Sequence, residues 1–231
     1  MTWIDAFSCF LDQLLPRTCP VCGDALNYQE KYVCIKCMLD LPQTHLHERE
    51  FNTMEQLFAG KTPIERAAGY FFYTKESPYS TLIHDIKYRN RPKMGQWLAS
   101  EYAREIKNTG FFDGIDMIIP VPLHKAKIAK RGYNQSQYIA QGISEITGIP
   151  VVNAIIATKS HETQTHKGIH ERWLNTQNLY SQNDMINLEG KHVIIIDDVI
   201  TTGATLLACA KSIDNTPGIK ISLLSLAVAQ L

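Results

Sequence analysis

Four cysteines, Cys19, Cys22, Cys34 and Cys37, form two C-x2-C pairs separated by eleven residues in the stretch CPVCGDALNYQEKYVCIKC. Two thiolates at that spacing can turn onto one tetrahedral ion, and Gly23 follows the first pair where a tight turn needs a residue without a side chain. The expected ligand is zinc in a structural role, because four sulfurs close its coordination sphere and leave no position for a catalytic water. Two disulfides are the competing reading, disfavoured in a reducing compartment, and a redox dithiol is a third.

A second cluster lies in HVIIIDDVITTGATLL, residues 192–207. Its apolar run reads as a buried strand whose last two residues, Asp197 and Asp198, emerge at the carboxyl end, with VITTGATLL as the turn into a helix. Thr201, Thr202, Gly203, Ala204 and Thr205 are small or hydroxylated, so amides at the helix start can close around an anion while the hydroxyls add donors. Two carboxylates beside such a cradle cannot themselves favour phosphate. They must face hydrogen-bond donors, such as sugar hydroxyls or metal-bound water. A phosphorylated ribose satisfies both halves. The segment lacks the lysine of a P-loop and the glycines of a dinucleotide fingerprint, which excludes both. An acidic helix cap accounts for one aspartate, not for two followed by TTGAT.

These residues need elements to position them. After the polar stretch LPQTHLHEREFN, AAGYFFYT reads as a strand and KMGQWLASEYAREIKNTG as a helix stopped at Gly110. GIDMIIPVPLH supplies a short strand ended by two prolines, and RGYNQSQYIAQGISEITG a helix closed by Gly148. IPVVNAIIA is another β-branched run, GATLLACAKSID a helix and GIKISLLSLAVA a last strand. Strands apolar on both faces belong to a parallel sheet covered by helices. The expected fold is therefore α/β, with ligands bound where the strands end. Trp3, Phe7, Phe10, Leu11, Leu14 and Leu15 fall on one stripe of a predicted amphipathic helix. Cys9 and Cys209, on predicted helices, read as small buried hydrophobes.

The 231 residues are 45% hydrophobic, enough for a full core, and 23 basic residues balance 23 acidic ones. Overall charge thus gives no long-range attraction to nucleic acid or to an anionic membrane. The opening MTWIDAFSCFLDQLL lacks a basic start and is interrupted by Asp5, Asp12 and Gln13, so it does not read as a signal peptide, and no later segment is apolar enough to span a bilayer. A cytoplasmic protein is the expectation.

Four apolar residues, two acids, two more apolar residues and a Thr/Gly-rich loop resemble the phosphoribosyl-pyrophosphate signature of type I phosphoribosyltransferases. DMIIPVPLHKAKIAKRGYNQSQYIA, LIHDIKYRNRP and the cysteine ribbon narrow the resemblance to the ComF family, the competence-protein-like branch. The resemblance implies a type I phosphoribosyltransferase-like sheet in residues 46–231, with 46–110 as a hood or acceptor region and 111–231 as core, preceded by an N-terminal helix and ribbon in 1–45. It gives Asp197 and Asp198 the catalytic place, engaging the ribose 2′ and 3′ hydroxyls, and Thr201 to Thr205 the 5′-phosphate. Lys125 and Arg131 join them for the pyrophosphate charge. Lys127 and Lys130 read as solvated surface residues, while Lys87, Arg89, Arg91 and Lys93 form a second basic cluster. Arg131 and Asn134 stand between substrate contact and capping of the helix that follows.

The stretch TKSHETQTHKGIHERWLN resembles the loop that closes over substrate in this superfamily, with Gln164, Arg172 and Asn175 matching its Gln…Arg-x-x-Asn pattern; Lys167 departs from the hydrophobic residue of the family pattern. His161, His166 and His170 there read as solvated. Magnesium would accompany the diphosphate, and the implied activity is pentosyl transfer in nucleotide metabolism. A different role also follows from the family: an adaptor in DNA uptake that binds single-stranded DNA or a helicase partner.

Overall fold

The structure is a computed structural model and describes residues 16–158 and 179–229. The amphipathic stripe, Cys9, Gln164, Arg172, Asn175, Lys167 and the three loop histidines lie outside the described residues. In chain order, α1 (Ile35–Leu39) and α2 (Thr53–Gln56) precede β1 (Ala67–Tyr73), α3 (Ser80–Tyr88) and α4 (Pro92–Ile106). There follow β2 (Met117–Pro120), α5 (Lys125–Arg131), α6 (Gln135–Thr147), β3 (Ile155–Ala157) and β4 (Tyr180–Gln182). The chain closes with β5 (His192–Ile200), α7 (Ala204–Lys211) and β6 (Lys220–Ala229).

Four strands make the main sheet in the order β1-β6-β5-β2, all parallel. Val193 to Ile196 of β5 and Leu223, Leu224, Leu226 and Ala227 of β6 have no solvent contact, as expected for strands covered on both faces. The segment 46–110 contributes the edge strand β1 through its pairing with β6, and α4, which packs on α6.

The two connections that matter diverge. After β2 the chain passes through α5 and α6 to Val151, which bridges in parallel to Ile118 on the outer side of β2. After β5 it passes through α7 to β6 on the other side. A crevice therefore opens at the carboxyl ends of β2 and β5, the place where open parallel sheets bind ligands.

One run departs from its expected form. Of IPVVNAIIA, only Val151 bridges β2, while Ile155–Ala157 pairs antiparallel with Tyr180–Gln182 in a separate two-stranded sheet. The physical reason is that β2 ends at Pro120, so the β-branched run has no partner beyond its first residues. The chain then bends through Asn153, whose carbonyl accepts a hydrogen bond from Asn183 Nδ2 at 3.1 Å.

Helices α4 and α6 approach closely at Gly142, where an added Cβ would stand 2.0 Å from the Gln96 carbonyl oxygen. Alanine would gain about 1 kcal/mol of helix propensity, yet a backbone atom at that distance must move with its whole helix. Gly142→Ala is therefore expected to destabilise by about 1–3 kcal/mol net, the usual cost of overpacking. Urea unfolding measures it; an unchanged midpoint would contradict the packing described.

Candidate functional site

The cysteine ribbon is built by two tight turns. Gly23, at φ 82°, lets its amide bond Cys19 O at 2.9 Å, and Cys19 N bonds Asp24 O at 2.8 Å. Cys34 caps α1, its Sγ accepting from the Cys37 amide at 3.4 Å. The four Sγ atoms of Cys19, Cys22, Cys34 and Cys37 lie within 4.8 Å of one another and can hold one metal ion. A tetrahedral zinc with bonds of about 2.3 Å puts its sulfurs about 3.8 Å apart; Cys22 and Cys34 are 3.7 Å apart, far beyond a disulfide bond. Burial and the neighbouring sulfurs push the Cys37 thiol up, a penalty that a bound cation removes. The ribbon is fixed to the core by Thr81 Oγ1, which donates to Pro20 O at 2.8 Å, and by the Tyr79 hydroxyl, which donates to Cys37 O at 3.2 Å.

The acid pair sits inside the strand, not at its tip. β5 continues to Ile200, two residues past Asp198, and Asp197 and Asp198 are only 8% and 2% exposed. The expectation that both emerge at the strand's end is corrected on this point: Val199 and Ile200 keep their pairing with β6. Successive side chains on a strand point to opposite sides, and the two acids accordingly find different partners. Asp197 Oδ1 accepts from Ser136 Oγ at 3.1 Å and from the Asp198 amide at 2.9 Å. Asp198 Oδ1 pairs with Lys87 Nζ at 2.9 Å, while its Oδ2 is buried with no hydrogen-bond partner among the described residues.

Burial first, and the neighbouring Asp198 charge second, push Asp197 up to about 7. A raised carboxyl favours the protonated fold, so this group's contribution to stability is full below its unfolded value near 4 and is lost as pH rises through 7. The site holds this unfavourable charge without stabilising the fold, a common feature of functional carboxylates.

The loop after β2 meets the same place. Val121 N bonds Ile196 O at 2.9 Å, which brings Pro120, Val121 and Pro122 beside Asp197. Asn134 caps α6 through the Ser136 amide at 3.1 Å and donates to Val121 O at 3.0 Å, so capping and loop positioning are one function. Arg131 bonds Gln135 and lies over the Tyr88 ring at 5.4 Å. On α5, Lys125 is exposed at the first turn. Lys127 is also exposed as a side chain, yet its ammonium is lowered by desolvation and by the Arg131 and Lys87 charges and raised by Asp197. Lys127 is thus a surface lysine, as its sequence reading expects, within the field of Arg131, Lys87 and Asp197.

Gly203 begins the turn into α7 at φ 73°, a left-handed conformation that favours glycine, and an added Cβ would crowd the Phe58 ring at 3.1 Å. Thr201 and Thr202 are exposed, Thr205 is half-buried, and Thr202 Oγ1 accepts from the Ala204 amide at 3.4 Å. The first amides of any α-helix lack intrahelical partners, and here they open beside two threonine hydroxyls.

Sequence reading did not single out Lys87 as the partner of Asp198 or Ser136 as the partner of Asp197. A signal existed for the first: Leu82, Ile83 and Ile86 form the buried face of α3, and Lys87, four residues after Ile83, lies beside it. No local signal marks Ser136. Asp85 was also missed; it is buried and pairs with Arg89 and Arg91, each at 3.3 Å.

Residues 93–218, more than half of the chain, match the family described as phosphoribosyl transferase domain. DNA utilization protein YhgH of Escherichia coli O157:H7 is 29% identical over 197 residues, 84% of this chain and 82% of that protein. Competence protein F of Haemophilus influenzae is 34% identical over 140 residues, 58% of this chain and 61% of that protein. Competence protein ComFC of Bacillus subtilis is 26% identical over 139 residues, 60% of this chain and 55% of that protein. The resemblance to the ComF branch thus holds in these relatives as well as in the cysteine ribbon. With its acid pair and threonine-glycine turn both inside the matched segment, the chain belongs to the phosphoribosyl transferase domain family.

Proposed function

We propose that the crevice at the carboxyl ends of β2 and β5 binds phosphoribosyl pyrophosphate and transfers its phosphoribosyl group to an acceptor, with pyrophosphate as the leaving group. The observation that carries this reading is the buried acid pair immediately before the α7 amino end, with an unpartnered carboxylate oxygen on Asp198. The ribose 2′ and 3′ hydroxyls would donate to Asp197 and Asp198, and the amides and hydroxyls of Thr201 to Thr205 would hold the 5′-phosphate. Lys87 would leave Asp198 for the pyrophosphate, joined by Lys125, Lys127 and Arg131. The pair Asp197 and Asp198 suits magnesium through its waters, and magnesium bound with the diphosphate would neutralise the leaving group. As positive charge develops at C1, the two carboxylates stabilise it at short range in a water-poor site. The four ribbon thiolates would hold zinc in a structural role.

Release of pyrophosphate from phosphoribosyl pyrophosphate, screened against nucleobases and amines, tests transfer. Acceptor-dependent release is expected; release at one slow rate whatever the acceptor would contradict transfer.

The names of the relatives, DNA utilization and competence proteins, favour a second reading, a role in DNA uptake; as an adaptor the chain would engage single-stranded DNA or a helicase. A pure adaptor would support transformation equally well with Asp197→Asn/Asp198→Asn, whereas a ligand-dependent protein would fail. Among the described residues no helix is long and apolar enough to cross a membrane.

A further inference from the structure

A cavity of about 600 Å³ opens between the cysteine ribbon and the start of α4, away from the acid pair. Arg17 and Lys31 line it from the ribbon, Arg91 and Lys93 from the core, and Tyr32 and Tyr138 supply aromatic walls. Among the described residues no carboxylate lines it. Its size lies within the range of small-molecule sites.

The walls are fixed. Arg17 is held by its bonds to Glu30 O at 3.0 Å and Asn27 O at 3.2 Å. The Tyr32 ring leans on Trp97 at 5.8 Å, and Tyr138 meets Tyr133 edge-on at 6.0 Å. Arg91 is paired with Asp85, which also serves Arg89, and Arg17 lies in the field of Glu30, so the exposed Lys31 and Lys93 carry the excess positive charge around the cavity. The amino end of α4, with Pro92 in its first turn, adds its dipole on the same side.

We infer that this cavity is a second ligand site, separate from the acid pair, and that it takes a free nucleoside phosphate. Four cations from two sides match a phosphate group or a short phosphate chain, and planar rings match a base. An extended strand would need a continuing basic track with successive stacking rings, whereas this cavity, open to solvent on one side, offers two rings and a volume of single-nucleotide size. The site stands independently of the phosphoribosyl pyrophosphate reading, because its residues and those of the acid pair do not overlap.

Calorimetric titration of the full-length, zinc-loaded chain with AMP and with ATP tests it. Binding is expected in the wild type and in Asp197→Asn/Asp198→Asn. Lys31 and Lys93 are exposed, so Lys31→Glu/Lys93→Glu should fold, and it is expected to weaken binding at least about tenfold, the scale of a lost charge-assisted bond. Undiminished affinity in the lysine variant overturns the inference. So does loss of nucleotide binding in the aspartate variant, which would place the nucleotide at the acid pair. Binding of a ten-residue oligothymidylate with no binding of AMP or ATP would overturn it in favour of a strand site.

Discussion

Replacing Cys34 by serine is expected to take purified protein from one zinc ion per chain to none and to unfold the ribbon. Cys34 contributes twice: its sulfur is one of four within 4.8 Å, and it caps α1 through the Cys37 amide. Apparent binding free energies for structural zinc run to about 10–16 kcal/mol in small domains, and little else holds such a segment folded. The core should feel the loss less. Its links to the ribbon include the Thr81 and Tyr79 hydrogen bonds and the packing of Val33 and Leu41 into the common apolar cluster. The expected pattern is rapid proteolysis within residues 16–45 while the parallel sheet still unfolds cooperatively. Metal analysis with limited proteolysis checks both; a Cys34→Ser chain that retains zinc and resists protease would refute the four-sulfur site.

Lys87→Met is expected to be the most damaging single change at the acid pair. It leaves Asp198, 2% exposed, with no cation at 2.9 Å. Breaking a buried pair by removing one partner costs on the order of 3 kcal/mol, and in a chain of this size each 1 kcal/mol lowers the thermal midpoint by about 2–4 °C. Adding Asp198→Asn removes the stranded charge, so the double variant should recover most of the loss, a coupling that a double-mutant cycle measures directly. A lysine serving only as surface charge would give a small effect and no recovery.

How much was legible in the sequence depends on the range of each interaction. The ribbon and the strand-turn-helix at 192–207 could be read because their determinants are local: cysteine spacing in one case, an apolar run followed by small residues in the other. The helix closed by Gly148 was equally local, with that residue at φ 76°. The partners of the acids were not legible, since Lys87 and Ser136 come from elements more than sixty positions away. The same limit explains IPVVNAIIA, whose β-branched composition marks extended chain but not the length of the strand beside it. Burial of the acids followed from Val199 and Ile200 continuing the ladder, although a threonine-rich turn begins at once after them. Lys127 is exposed, as its reading as a solvated lysine expects, while its neighbourhood to Lys87 and Asp197 is set only by the tertiary fold.

Asp197, Asp198 and the turn at Thr201 to Thr205 form the proposed site for phosphoribosyl pyrophosphate. Calorimetric titration of that compound with magnesium, into wild type and into Asp197→Asn/Asp198→Asn at pH 6 and pH 8, tests it most directly. Asp197, pushed up to about 7 by burial and by the Asp198 charge, accepts from ribose hydroxyls more strongly once ionised, when both its oxygens are free acceptors. Wild-type affinity should therefore rise by up to about tenfold from pH 6 to pH 8 through this one group, and the double variant should bind at least about a hundredfold more weakly at pH 8, two charged hydrogen-bond acceptors having been removed. Absence of binding to the wild type, or equal binding to both proteins, would contradict the account.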